Sequence, residues 1–176
     1  MRNAEFRCFA VCPGALESVA PAVAAARAGA AGILDVTFCD GAAMQRALRN
    51  LSEALRVTAP NHEIGLRVGA GSIAAAAPLL AALAPRRHTV IVAEGWDASA
   101  AASLAPSALR TLLVEASDAE ALDAQIAGQI DGIVIAGREC GGWVGGESGF
   151  ILLQRLLDRG VPLLLRGAAG PRTVAA

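Results

Sequence analysis

The chain contains no lysine and no tyrosine, and all of its 15 basic residues are arginines. Without lysine there is no lysine Schiff base, no P-loop lysine and no catalytic ammonium group. The formal net charge of −1 removes the electrostatic argument for nucleic acid or an anionic membrane as a main partner. These absences leave small molecules and other proteins as the expected partners.

Cysteine is also scarce, with four residues that show no metal-ligand spacing: Cys8, Cys12, Cys39 and Cys140. No secretory signal precedes them, so we expect reduced thiols in a cytoplasmic protein and no metal site. A stretch without charge, residues 68–85, has the length of a membrane span but is rich in Ala and Gly and contains Pro78. We interpret it as the end of a strand, a loop and a buried helix.

Hydrophobic residues are abundant, at 55% of the 176 residues, and charged residues make up 18%. This composition is typical of one globular domain, here residues 1–176. Runs rich in Val, Ile and Leu predict strands at 6–11, 32–38, 63–68, 89–93, 111–115, 132–136 and 162–166. Segments of helical period predict helices at 16–28, 42–57, 73–83, 119–126 and 150–159, and Pro106 limits any helix at 98–109.

Strands that are apolar on both faces and separated by helices predict a parallel α/β sheet. The pitch of roughly 20–30 residues suits a TIM barrel or a doubly wound sheet. Two features favour the barrel: Cys12-Pro13-Gly14 stands where a doubly wound sheet would carry GxGxxG, and glycine-rich loops follow several strands. About seven strands are present, so we expect an eighth to be missing and the chain to be a piece of a longer multidomain protein.

The most informative segment is residues 137–149, called the glycine loop below, which contains six glycines between a predicted strand and a predicted helix. Glycines allow the backbone to approach a ligand closely, and exposed N–H groups can hold phosphate. A flexible loop without function is the alternative. The regular placement of Glu139 and Glu147 beside the glycines favours a function.

The run AGRECGGWVG, residues 136–145, resembles the glycine loop of the nitronate monooxygenase (2-nitropropane dioxygenase) family and of related flavin-dependent enoyl reductases. The run VPLLLRGAAG, residues 161–170, resembles that family's next strand. The intervening run GESGFILLQRLL, residues 146–157, is similar to versions of this domain at the N-termini of bacterial type I polyketide synthases.

The resemblance implies a TIM barrel that binds FMN, with the phosphate at Gly141, Gly142 and Gly167 and with Gly145 shaping the turn. It places Trp143 at the position of the family's catalytic His, and an indole cannot exchange a proton at neutral pH. It also places Arg166 where the family has a small residue near the flavin. Arg138 or Arg166 would then polarise a substrate carbonyl.

Other ionisable residues offer alternatives for catalysis. Acids follow or end predicted strands at Asp40, Glu94, Glu115 and Glu139, where they could form an acid/base pair or a cation site. Ion pairs with Arg67, Arg138 and Arg166 are the structural alternative. His62 and His88 precede strands, on the face of a barrel associated with stability, and a nucleophilic Cys12 or Cys140 would need a depressed pKa.

Three functional interpretations remain open. The first is an FMN-dependent oxidoreductase-like domain of a polyketide synthase that acts on an acyl chain bound to an acyl carrier protein. The second is an inactive barrel that serves docking to neighbouring synthase domains or homodimerisation. The third is a flavin-independent dehydratase, isomerase or lyase. Trp96 and Trp143, both in predicted loops, could line the site, anchor an interface or fill the top of the barrel.

Overall fold

A computed structural model of the chain describes residues 7–14, 16, 18–93, 95–96, 100, 102, 104, 107–120, 128–142 and 145–167. Within these ranges seven strands form one sheet, all parallel and in chain order, so that each strand pairs with the next. The strands are β1 (Phe9–Pro13), β2 (Ala31–Asp35), β3 (Ile64–Gly69), β4 (His88–Ala93), β5 (Arg110–Ala116), β6 (Gly132–Ala136) and β7 (Leu163–Arg166).

The described helices lie between the strands: α1 (Ala20–Arg27), α2 (Gly41–Val57), α3 (Ala77–Leu83) and α4 (Gly149–Leu156). Short 3-10 turns occur at Ala70–Ser72 and Leu157–Arg159. The predicted starts of the first and third helices, at residues 16 and 73, are wrong. Pro21 and Pro78 occupy the first turns of α1 and α3, the one part of a helix where proline is tolerated.

The two faces of the sheet pack differently. The larger apolar cluster combines outward strand residues, such as Leu34 and Leu66, with the buried faces of the helices. The smaller cluster is built from strand residues alone and fills the inner face of the curled sheet: Ala31, Ile33, Ile91, Leu113 and Val134. Side chains alternate between these clusters because successive residues of a strand point to opposite faces.

The prediction of a TIM-barrel-like parallel α/β fold is therefore confirmed. β1 and β7 form the two edges of the described sheet, and their residues are half-buried or exposed, whereas every residue of β4 and β6 is buried. No eighth strand lies within the described ranges. Nor does any described helix combine the length and the apolar character that crossing a membrane requires.

Candidate functional site

Four charged side chains meet inside the curled sheet at the carboxyl ends of the strands: Asp35, Arg67, Glu115 and Arg166. We call them the charged cluster. Their chain neighbours on β2, β3, β5 and β7 pack outwards against the larger apolar cluster, so the alternation of the strands turns these four inwards. In parallel barrels this end carries the ligand site.

Arg67 is the centre of the charged cluster, and its side chain is fully buried. Its Nε and Nη2 donate to the two carboxylate oxygens of Glu115 at 2.7 and 2.9 Å. Its Nη1 donates to Asp35 Oδ2 at 2.7 Å and to Thr37 Oγ1 at 3.1 Å. Burial alone would lower the pKa of Arg67, but the hydrogen bonds and charges of Glu115 and Asp35 raise it overall. Arg67 is therefore a permanent buried cation.

Arg166 joins the charged cluster to the glycine loop. Its Nη1 donates to Glu115 Oε1 at 2.6 Å, and its Nη2 donates to the carbonyl oxygen of Gly141 at 2.8 Å. The side chain is 19% exposed, whereas that of Arg67 is 0% exposed. The cluster thus presents one partly accessible guanidinium at the rim of the sheet.

The glycine loop is held by hydrogen bonds at several points. Arg138 N–H donates to the Glu147 carbonyl at 2.9 Å, and Cys140 N–H donates to the Gly137 carbonyl at 3.0 Å. A Cβ at Gly145 would lie 1.8 Å from the Ser117 carbonyl oxygen, so the loop backbone packs directly on the segment after β5. These contacts hold the described parts of the loop, residues 137–142 and 145–149, in a defined position and disfavour the alternative of a loose connection.

Glu139 belongs to this scaffold. Its Oε1 accepts the backbone N–H of Gly149, the first residue of α4, at 2.8 Å, and Ser148 caps the same helix through Ile151 N–H. The two side chains satisfy N–H groups that would otherwise attract an anion to this helix end. The exposed side chain of Arg138 lies on the same loop.

The glycines predicted to hold phosphate surround Arg166. Gly142 has a φ of +87°, and a Cβ built on it would lie 3.7 Å from Arg166 Nη2 and 3.9 Å from the Phe38 ring. A Cβ on Gly141 would meet nothing within 4 Å, whereas one on Gly167 (φ +75°) would lie 3.0 Å from Cys140 Sγ. Beside this guanidinium the backbone of Gly141 and Gly142 is bare of side chains, which suits a phosphate group such as that of FMN, whereas Cys140 fills the corresponding space at Gly167.

The thiols near the site are poor nucleophiles. Cys140 Sγ donates to the Arg166 carbonyl at 2.7 Å, and Cys12 Sγ donates to the Ile33 carbonyl at 3.5 Å. Burial is the main factor that raises the pKa of both thiols. A nucleophilic cysteine requires the opposite shift.

The remaining predicted residues lie elsewhere or outside the described ranges. Asp40 caps α2 by accepting the Ala43 N–H at 2.8 Å, and His88 is buried at the amino end of β4. Trp96 is half-buried and packs against the larger apolar cluster. Glu94 and Trp143 lie outside the described residues, which contain no group of three or more His, Cys, Asp or Glu able to hold a metal ion.

Two residues at the site were not predicted. Asp35 continues the inward positions of β2 two residues after Ile33, and this alternation is a signal that could have identified it. Phe38 is 62% exposed although it is aromatic. It follows β2 closely because Asp35 Oδ1 accepts the Thr37 N–H at 3.0 Å and turns the chain.

No protein-family model matches the chain, and no curated protein matches it. Among solved structures, a mutant of FabK from Thermotoga maritima superposes with a TM-score of 0.67 at 15% identity, over 90% of this chain and 53% of FabK. Nitroalkane oxidase from Streptomyces ansochromogenes superposes with a TM-score of 0.61 at 19% identity, over 89% and 57%. The chain has the fold of these proteins. It spans about half the length of each.

At these identities the likeness shows the fold alone. Both structures support the nitronate monooxygenase-like fold that was predicted from residues 136–170. The charged cluster and the glycine loop lie at the carboxyl ends of the strands in this fold, where a ligand site is expected.

Proposed function

We propose that the chain is an FMN-binding, oxidoreductase-like domain. The observation that carries the proposal is the position of the glycine loop against Arg166, at the carboxyl ends of a curled parallel sheet. The resemblance of residues 136–145 to the nitronate monooxygenase family and the fold shared with FabK and nitroalkane oxidase support it.

Each residue of the site has a distinct part in this proposal. The backbones of Gly141, Gly142 and Gly167 would hold the phosphate, with Arg166 as its counter-charge. Gly145 keeps the loop against the segment after β5. The exposed ring of Phe38 provides an apolar contact next to the phosphate end. When bound, FMN supplies hydride transfer.

Proton transfer is the part of the family's chemistry that this chain lacks at the matching position. Trp143 stands where the family has a catalytic His, and of the described acids Asp35 and Glu115 pair with arginines, while Asp40 and Glu139 hold helix ends. With Arg166 at the phosphate, Arg138 would polarise a substrate carbonyl without donating a proton. Because Glu115 is held by arginines and Glu139 by the start of α4, the case for a flavin-independent acid/base enzyme that uses either residue is also weakened.

The finer proposal is that the domain belongs to a polyketide synthase and receives an acyl chain on an acyl carrier protein. Residues 146–157 support it through their resemblance to the N-terminal domains of such synthases. Reduction of an enoyl thioester by NAD(P)H with the FMN-loaded protein, compared on carrier-bound and free thioesters, tests this part separately.

The first experiment is an FMN titration of the purified protein by flavin fluorescence, together with its visible absorption spectrum. We expect saturable binding at a micromolar dissociation constant, about −8 kcal/mol. Arg166→Gln should weaken binding at least tenfold. Arg56→Gln is the matched control, because Arg56 is an exposed arginine that pairs with Glu53 on α2, which carries no part of the glycine loop. Absence of binding, or equal loss in both variants, would overturn the proposal.

A second candidate function is a docking or dimerisation module without catalysis. It is favoured by α4 and the turn after it, where large apolar side chains are exposed: Phe150 at 62%, Ile151 at 42% and Leu157 at 61%. An apolar stripe on an outer helix is typical of a protein interface. Sedimentation of the wild type against Phe150→Glu tests it: a dimer that dissociates in the variant supports the module, and a monomer in both excludes homodimerisation.

A further inference from the structure

Glu115 is the link between the two arginines of the charged cluster. Its side chain is 4% exposed. Oε1 accepts from Arg67 Nη2 at 2.9 Å and from Arg166 Nη1 at 2.6 Å, while Oε2 accepts from Arg67 Nε at 2.7 Å. One carboxylate therefore receives hydrogen bonds from two guanidinium groups in a place that water scarcely reaches.

The charges of the cluster balance, with two carboxylates and two guanidinium groups, but they are not shared evenly. Asp35 pairs with Arg67, and among the described residues Glu115 is the only carboxylate in an ion pair with Arg166. Arg166 uses one N–H on Glu115 and one on the Gly141 carbonyl. A guanidinium has five N–H groups, so donors remain for a ligand, but the charge behind them is already neutralised.

We infer that Glu115 sets the affinity of the site for phosphate by competing for Arg166. An oxyanion that binds beside Gly142 must share the guanidinium with a buried carboxylate, and the repulsion between the two anions is strong at low local dielectric. The ligand class is a phosphate monoester or inorganic phosphate. The inference rests on the phosphate site of the proposed function, and it assigns to Glu115 an electrostatic role rather than proton transfer.

The test compares two variants that each remove one negative charge from the same cluster. Glu115→Gln should strengthen the binding of inorganic phosphate about tenfold, equivalent to about 1.4 kcal/mol, and should make that binding more sensitive to salt. Asp35→Asn is the comparison variant and should give a smaller gain, since Asp35 pairs with Arg67 and Glu115 is the carboxylate that contacts Arg166. Adding Arg166→Gln to Glu115→Gln should abolish the gain.

Calorimetric titration with phosphate and with FMN, on variants whose folding is checked by circular dichroism, separates the outcomes. A gain in Glu115→Gln that Asp35→Asn matches, or no gain, overturns the inference even if the wild type binds FMN. A specific gain for phosphate without FMN binding by any variant keeps the inference and removes the flavin proposal. Phosphate binding that is absent in every variant overturns the inference, and absence of FMN binding as well overturns the proposed function.

A second variant covers the case in which Glu115→Gln does not fold. Asp35→Asn, Arg67→Met and Glu115→Gln together remove the ion pairs of Arg67 as a unit, so neither carboxylate is left without its cation, while Arg166 still loses its carboxylate. The same gain in phosphate affinity is expected. A folded triple variant that binds phosphate no better than the wild type contradicts the inference.

Discussion

Arg67 and Glu115 face each other across the inside of the sheet, 48 positions apart in the chain, with two hydrogen bonds of 2.7 and 2.9 Å between them. Arg67 stands on β3 and Glu115 on β5, so the pair bridges the intervening β4. Each charge stabilises the other, because too little water reaches either side chain to solvate it.

Replacing Arg67 alone is therefore expected to destabilise the fold strongly. Arg67→Met would leave the buried Glu115 and the half-buried Asp35 without their shared cation, and we expect a loss of about 3–5 kcal/mol in the free energy of unfolding. Urea denaturation measures it. Arg56→Gln is the control, since the exposed Arg56–Glu53 pair on α2 should not shift the midpoint. Equal midpoints for both variants would contradict the prediction.

The glycine loop provides a test of backbone packing. Gly145→Ala places a methyl group 1.8 Å from the Ser117 carbonyl oxygen, so the loop must move, with an expected cost of about 1–3 kcal/mol and weaker FMN binding. Gly146→Ala, whose added methyl group meets nothing within 4 Å, should leave both unchanged. Thermal unfolding and flavin titration of the pair measure the difference. A neutral Gly145→Ala would show that the contact with Ser117 is dispensable.

Two substitutions of Glu139 distinguish a structural role of this residue from a catalytic one. Glu139→Ala removes the acceptor of the Gly149 N–H, and we expect a loss of about 1 kcal/mol in stability. Glu139→Gln keeps an acceptor oxygen but cannot act as an acid or base, so it should retain stability and any turnover. If Glu139→Gln is stable but loses turnover, proton transfer by Glu139 is the better explanation.

The lowered pKa of the buried His88 predicts that the stability of the protein depends on pH. Burial lowers the pKa of His88, aided by Arg110 and opposed by its hydrogen bond to the Arg86 carbonyl and by Glu63. The unfolded chain then binds a proton near pH 6.5 that the folded chain does not bind. This contribution to stability is present above about pH 6.5 and is lost as the pH falls below it.

The corresponding measurement is the free energy of unfolding of the wild type and of His88→Gln between about pH 8 and about pH 5. The wild type should lose more stability than the variant as the pH falls, whatever the offset between them at pH 8. Parallel curves would mean that His88 takes up its proton equally in both states.

The positions of the strands could largely be predicted from the sequence because apolar runs of strand length are distinctive. β6 (Gly132–Ala136) has the predicted bounds. β2 ends three residues earlier than predicted, since Asp35 turns the chain at Thr37. β1 extends to Pro13, beyond the predicted end at residue 11, because Cys12 and Pro13 pair with Leu34 and Asp35 of β2. This pairing depends on the register between the two strands, which the sequence of one strand does not specify.

The site could be predicted in part. The carboxyl ends of β5 and β7 were identified as its position, and Glu115 and Arg166 do meet there. The pairing of Glu115 with Arg67 depends on the curvature that brings β3 and β5 together over β4, which no local pattern specifies. The role of Glu139 at α4 likewise depends on how the glycine loop folds back on Gly149.

The chain order of the strands also has a consequence for how the protein is made. Paired residues lie between 19 positions apart, as for Leu113 and Gly132, and 32 positions apart, as for Gly32 and Ile64. Bringing each strand to its partner therefore closes a loop of similar length, at a similar and modest cost in chain entropy. A nascent chain leaving the ribosome can add each strand to the one before it, without waiting for a distant segment to be synthesised.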